Sequence, residues 1–142
     1  MTYIGIDPGK DGALAVIDGS GARVIPFDTG AYLKALSGCG DGVCVLERVF
    51  SRKDQGVKSM FSFGQNFGWI MGALEAFGIR YELVLPNTWK KEFGISGKNE
   101  SIDVCRRLFP DVSLRRTERC RKEHDGMAEA LLMAEYARRR LA

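Results

Sequence analysis

Residues 2–18 read TYIGIDPGKDGALAVID, a pattern that predicts two strands joined by a turn. Its first part, TYIGID, is rich in β-branched residues and predicts a strand, and Pro8-Gly9 marks a turn directly after it. GALAVID predicts the hairpin partner of that strand. The segment ARVIPF follows the strong turn signal DGSG, so we expect it to form a third strand. Asp7 is thereby placed at the end of the first strand.

The rest of the chain alternates between helix and strand. VCVLE and YELVL are short runs that predict a fourth and a fifth strand. Residues 51–59 are polar and predict a loop, and a long helix is expected from there to about Phe77. Shorter helices are predicted at 31–36, from Pro86 and at 101–108, and a buried helix at 126–134. This order predicts an α/β fold with a mixed five-stranded sheet flanked by helices.

Length and composition indicate one globular domain over residues 1–142. Hydrophobic residues make up 45% and charged residues 27%, which excludes a disordered or fibrous chain. Neither a signal peptide nor an apolar stretch long enough to span a membrane is visible. The four cysteines show no CxxC spacing and there is a single histidine, so we expect free thiols and no zinc site. We therefore expect a soluble protein that is not secreted.

Basic residues are concentrated in two places although the net charge is only +3. Five of them lie within residues 115–122, and three consecutive arginines occupy residues 138–140. Basic runs are usually solvated surface, but next to an acidic site they also suit a polyanion partner. Both interpretations stay open from composition alone.

Four carboxylates are spaced so that they can meet. Asp7 and Glu47 end predicted strands, while Asp125 and Glu129 are four residues apart on the last helix and project from one side. Ligands of open α/β sheets collect at strand ends. Carboxylates held close together repel one another, and Mg²⁺ or Mn²⁺ relieves that repulsion with oxygen ligands.

Each acid also has a structural interpretation. Asp7 can cap the Pro-Gly turn, Glu47 can form a surface ion pair, and Asp125 can be the N-cap of the last helix. Glu129 can lie on a solvated stripe. These alternatives explain less well why Glu129 stands alone in residues 126–134, which carry no other charge.

The acidic motifs resemble those of a known family. IGIDPGKDGALAVID, CVLERVF and HDGMAEALLMAEY are similar, in order and spacing, to the motifs of RuvC-type Holliday-junction resolvases, which have the ribonuclease H-like fold. DQGVKS, FGQNFGWIMG, PNTWKKEFG and GMAEALLMA are similar to the chloroplast and phage-type branch. The resemblance covers nearly the whole chain.

This resemblance implies a crossover junction endodeoxyribonuclease, a homodimer that cuts symmetric strands of a four-way DNA junction. It implies that Asp7, Glu47, Asp125 and Glu129 are catalytic ligands of two Mg²⁺ or Mn²⁺ ions. It implies no nucleotide cofactor and no membrane association. The expected compartment is the cytoplasm of a bacterial or phage-infected cell, or an organelle matrix.

Two adjacent residues, Asp125 and His124, are alternatives for the first metal ligand on the last helix. Many bacterial members space the helix acids at i and i+3, whereas Glu129 is at i+4 from Asp125, and related enzymes sometimes place a histidine at the first position. His124 is therefore the alternative ligand. We favour Asp125, because His124 points about 100° away from the face of Glu129 on an ideal helix.

Polar side chains on predicted loops and helix starts are expected to contact DNA, the lysines at phosphates and Gln55 by insertion at the strand exchange. They are Lys53, Gln55, Lys58, Lys90, Lys91 and Lys98. Lys98 is the strongest of them, since GKNES resembles a basic loop of the family. Gly64, Gly68 and Gly72 form a stripe on the long helix, which predicts close approach either to the sheet or to a second copy of the helix.

Three other function classes share parts of this sequence pattern. An actin-like ATPase or sugar kinase also opens on a DxG turn, but it needs two large domains, which 142 residues do not supply. A non-catalytic junction-binding module does not need all four acids. A ribonuclease H-like nuclease acting on RNA–DNA hybrids or on other branched DNA shares the predicted chemistry.

Overall fold

The computed structural model describes residues 1–49, 54–97 and 99–142. Among these residues, five strands form one sheet in the order β3-β2-β1-β4-β5. The strands are β1 (Tyr3–Asp7), β2 (Ala13–Asp18), β3 (Gly21–Pro26), β4 (Val43–Glu47) and β5 (Arg80–Val84). β1 pairs antiparallel with β2, and β2 with β3, whereas β1 and β4, and β4 and β5, are parallel. The predicted mixed five-stranded sheet is confirmed.

Helices cover both faces of this sheet. They are α1 (Thr29–Ser37), α2 (Val57–Ala76), α3 (Pro86–Glu92), α4 (Glu100–Leu108) and α5 (Asp125–Arg140). α1 and α2 pack on one face, and the apolar residues of α3, α4 and α5 form the core on the other. The loop predicted over 51–59 is too long, because α2 already begins at Val57. Lys58 and Ser59 are polar because they lie on the exposed side of its first turn.

The face under α5 is lined with small residues, which lets the helix approach the sheet closely. Ala13 and Ala15 of β2 are fully buried there. At Gly5 in β1, an added Cβ would lie 2.1 Å from the carbonyl oxygen of Ala130 and 2.3 Å from the nitrogen of Ala134. The backbone of α5 therefore rests directly on β1, which is the strand that ends at Asp7.

The glycine stripe of α2 does not pack on the sheet. Apart from the nearby backbone of α2 itself, no heavy atom of the described residues lies within 4 Å of a Cβ placed on Gly64, Gly68 or Gly72, and all three are exposed. The predicted close approach to the sheet is wrong, because the buried side of α2 is formed by Asn66, Ile70 and its neighbours instead. Approach to a second copy of the helix stays a prediction.

The structure also shows the state of the cysteines and the apolar character of the helices. All four cysteines lie within the described residues and are free thiols, three of them buried and Cys120 partly exposed. None of the helices in the described part of the chain is long and apolar enough to cross a membrane.

Candidate active site

Three carboxylates meet at the edge of the sheet where β1 and β4 end. Asp7 is the last residue of β1, Glu47 is the last residue of β4, and Glu129 lies in the second turn of α5. One carboxylate oxygen from each lies within 4.8 Å of the other two. They meet because parallel strands end at the same edge of a sheet and α5 rests on β1. We call these three residues the acidic cluster.

The acidic cluster is electrostatically unfavourable by itself. Burial raises the pKa of Asp7 well above its ordinary range, and the charges of Glu129 and Glu47 raise it further. Burial and the charge of Glu47 raise the pKa of Glu129 to about 7. Burial also raises the pKa of Glu47, although a hydrogen bond from Trp89 opposes the change. An oxygen-only group that resists full ionisation suits a hard divalent cation.

Trp89 orients one member of the acidic cluster. Its indole N–H donates a hydrogen bond of 2.9 Å to Oε2 of Glu47, and both side chains are buried. α3 supplies this tryptophan immediately after Pro86 begins the helix. The sequence contained the motif PNTWKKEF but gave no signal that its aromatic residue contacts Glu47.

Asp7 is held in place from both sides of the sheet. On one side, Oδ1 of the buried Asn66 in α2 accepts a 2.8 Å hydrogen bond from the N–H of Gly9, in the turn that follows Asp7. On the other side, a Cβ on Gly126 would lie 2.8 Å from Asp7 Oδ2 and 2.8 Å from the carbonyl oxygen of Asp11. A glycine at 126 therefore leaves the space that the Asp7 carboxylate occupies. Sequence reasoning missed both Asn66 and Gly126.

The start of α5 resolves one of the structural alternatives. His124 is the N-cap, and its Nδ1 accepts a 3.2 Å hydrogen bond from the N–H of Met127. The interpretation of Asp125 as the N-cap is therefore wrong, because Asp125 is the first residue of the helix. Nε2 of His124 lies 2.9 Å from Nη2 of Arg116. Both ring nitrogens thus have neighbours outside the acidic cluster.

Asp125 stands beside the acidic cluster rather than within its 4.8 Å group. Its side chain is exposed, and its charge raises the pKa of both Asp7 and Glu129. The four acids thus interact electrostatically, with three in close contact. The role of Asp125 as the fourth ligand of a metal site, with His124 as the alternative, stays a prediction.

Two of the predicted DNA-contacting residues lie next to the acidic cluster. The charge of Lys90 lowers the pKa of Asp7, Glu47 and Glu129, and its Nζ lies 5.5 Å from the centre of the Trp89 ring. Gln55 lines a cavity of about 370 Å³ together with Asp7, Pro8, Glu47, Val49, Asp54 and Phe63. This cavity therefore opens onto two members of the acidic cluster, Asp7 and Glu47.

The other predicted contacts are more dispersed. Lys58 is exposed on the first turn of α2, and Lys91 is exposed on α3. Lys53 and Lys98 lie outside the described residues.

The arginines at 138–140 do not belong to this site. They pair with Glu135 and Glu92, for example through Arg139 Nε at 2.9 Å from Glu135 Oε2. Arg139 is ten residues beyond Glu129 on α5, which is about 15 Å at about 1.5 Å per residue. Of the two basic runs, only residues 115–122 adjoin the acidic cluster.

The sheet order and the placement of α5 define a ribonuclease H-like α/β fold. Among solved structures, the T. thermophilus RuvC in complex with a Holliday junction substrate superposes with a TM-score of 0.62 at 16% identity, over 98% of this chain and 96% of that chain. A second Thermus thermophilus RuvC structure gives a TM-score of 0.56 at 22% identity with the same coverage. The chain therefore has a RuvC-like fold. No protein-family model and no curated protein matches it.

Proposed function

We propose that the protein is a metal-dependent DNA endonuclease that resolves four-way junctions by hydrolysing phosphodiester bonds in symmetric strands. The observation that carries this proposal is the convergence of Asp7, Glu47 and Glu129 within 4.8 Å at one edge of a RuvC-like sheet. A solved neighbour with this fold is in complex with a Holliday junction substrate, which supports the choice of substrate.

The acidic cluster fits two Mg²⁺ or Mn²⁺ ions, with Asp125 as the fourth anionic group. All of its donors are carboxylate oxygens, which these hard cations prefer. Burial and mutual repulsion raise the pKa of Asp7 and Glu129, so cation binding would relieve an existing strain. When bound, such ions activate a water for in-line attack and stabilise the leaving oxygen.

The remaining residues of the site would hold the DNA and the ligands. Trp89 fixes the orientation of Glu47, and Lys90 lies where it can approach an oxygen of the phosphate at the acidic cluster. We keep Lys53, Lys58, Lys91 and Lys98 as proposed contacts to flanking phosphates, and Gln55 as a proposed contact at the strand exchange. One such domain over residues 1–142 cuts one strand, so symmetric cutting requires a homodimer.

The exposed glycine stripe of α2 supports the proposed self-association, because it leaves a smooth surface for a second copy of this helix. The protein would act where such junctions occur, in the cytoplasm or in an organelle matrix.

A cleavage comparison tests the proposal. A labelled four-way junction, a linear duplex and an RNA–DNA hybrid of the same sequence are incubated with the protein in Mg²⁺ and in excess chelator. We expect paired symmetric nicks in the junction, no cutting of the duplex, and no cutting in chelator. Faster cutting of the hybrid would identify a ribonuclease H instead, and binding without cutting would identify a non-catalytic module.

A further inference from the structure

A groove of about 720 Å³ opens beside the acidic cluster, at the N-terminal end of α5. Its walls are the turn between β1 and β2, the loop that precedes α5, and the first residues of that helix. It is lined by Asp11, Arg116, residues 120–123, His124 and Asp125. We call it the α5 groove.

The α5 groove and the acidic cluster share a wall at Gly126. Asp7 Oδ2 and His124 Cε1 each lie 2.8 Å from the position of a Cβ on Gly126, one belonging to the cluster and the other to the groove. Asp125 lines the groove and also acts on the charges of Asp7 and Glu129. The groove therefore lies directly beside the carboxylate of Asp7.

Two of the acids in the groove wall, Asp11 and Glu123, are paired with arginines. Arg116 Nη2 lies 3.1 Å from Asp11 Oδ1, which ties the loop to the turn between β1 and β2. Arg106 of α4 forms an ion pair with Glu123. These pairs leave Asp125 as the acid of the groove wall, within the described residues, whose charge is not balanced by an ion pair.

The cations that remain face solvent. Arg121 and Lys122 are exposed, and no ion pair with either was found within residues 1–49, 54–97 and 99–142. Two uncompensated positive charges thus lie next to a site proposed to cut a polyanion. This is the charge complementarity that backbone phosphates require.

We infer that the α5 groove binds backbone phosphates of the cut DNA strand next to the scissile phosphodiester, through Arg121 and Lys122. The inference rests on the proposed function and adds a contact on a new side of the site. In the sheet order, β1 and β2 border the groove, whereas α3 with Lys90 follows β5 beyond β4. The cut DNA strand would therefore be held on both sides of the acidic cluster, by the α5 groove on one side and by Lys90 on the other.

Cys120 provides a direct probe, because it lines the groove and is partly exposed. Hydrogen bonds with Thr117 lower the pKa of this thiol, whereas burial raises the pKa of Cys39, Cys44 and Cys105. We expect a maleimide to label Cys120 first, as identified by peptide mass spectrometry. At a junction concentration ten times Kd, with Ca²⁺ as the cation, labelling should slow about tenfold.

Paired variants test the charges. Arg121→Ala/Lys122→Ala should make the slope of log K against log salt for junction binding less negative by about 1.8, at about 0.9 for each lost phosphate contact. Lys34→Ala/Arg80→Ala is the control, because it removes the same charge at the opposite edge, where β4 and β5 begin. It should leave the slope unchanged.

The outcomes separate the two proposals. A junction that binds while Cys120 is labelled at the unprotected rate overturns the inference and leaves the proposed function in place. The same holds if the groove variant and the control have equal slopes. A parent protein that does not bind the junction overturns both.

Discussion

Glu129→Gln tests the acidic cluster through stability as well as activity. The substitution removes one carboxylate while keeping the shape of the side chain. Burial and the charge of Glu47 raise the pKa of Glu129 from 4.5 to about 7. At about 1.36 kcal/mol per pKa unit, and allowing for the partial exposure of the side chain, ionising it in the folded protein costs about 2–3 kcal/mol more than in the unfolded chain.

The sign of the pH dependence follows from the direction of this shift. Between pH 4.5 and about 7, the unfolded chain has lost the proton of Glu129 while the folded protein retains it. The free energy of unfolding of the parent therefore falls as the pH rises through this window. Glutamine has no proton to lose, so without metal the variant should be about 2–3 kcal/mol more stable than the parent at pH 8 and nearly equal to it at pH 4.5.

Chemical denaturation in chelator at both pH values, followed by tryptophan fluorescence, measures this difference. Glu75→Gln is the matched control, because Glu75 is exposed near the opposite end of α2, and it should change stability little. Added Mg²⁺ should stabilise the parent more than Glu129→Gln, because the cation binds the folded state through the intact cluster. The variant should bind a junction but not cut it.

Two results would refute this reasoning. If Glu129→Gln is no more stable than the parent at pH 8, Glu129 is not held among buried carboxylates. If it cuts a junction at the parent rate, Glu129 is not a ligand.

The other substitutions separate ligand, orienting and packing roles. Asp125→Asn should slow junction cleavage by about 10²-fold or more with little change in melting temperature; cutting at the parent rate, together with failure of His124→Ala, would transfer the ligand role to the histidine. Trp89→Phe should weaken Mn²⁺ binding by about 10–100-fold in calorimetry, and unchanged affinity would show that its hydrogen bond does not orient the ligand. Gly126→Ala should destabilise the protein and abolish cleavage, whereas Gly68→Ala should raise monomer stability by about 0.8–1.0 kcal/mol. Sedimentation should show a weaker dimer for Gly68→Ala, and an unchanged dimer would place the self-interface elsewhere.

The sheet and the acidic cluster were accessible from sequence because their signals are local. Asp7 and Glu47 each end a run of apolar residues, and parallel strands bring such ends to one edge. Glu129 stood out because it interrupts an apolar helix that had to pack on the sheet. The mixed sheet and the meeting of these three residues follow from patterns within short segments.

The supporting contacts were not accessible, because they join distant segments. Asn66 reaches Gly9 across 57 residues, and Trp89 reaches Glu47 across 42. No periodicity connects such pairs. His124 was missed as the N-cap because histidine is not among the preferred capping residues, so the adjacent aspartate drew that assignment instead. For the glycine stripe, the sequence left the sheet and a second helix as alternatives, since a row of glycines indicates a close neighbour but does not identify it.

The backbone brings the three residues of the acidic cluster close together, and this limits how their mutual repulsion can be relieved. α5 rests on β1 with no side chain between them at Gly5, so the backbones that carry Asp7 and Glu129 cannot separate unless the helix lifts from the sheet. Because Gly126 has no side chain, nothing at that position displaces the Asp7 carboxylate. Repulsion among the acids is therefore relieved by protonation, by a cation or by rotation of the side chains, and not by a shift of the backbone. Cations held on such rigid elements would occupy fixed positions, which is what the proposed in-line attack on a phosphodiester requires.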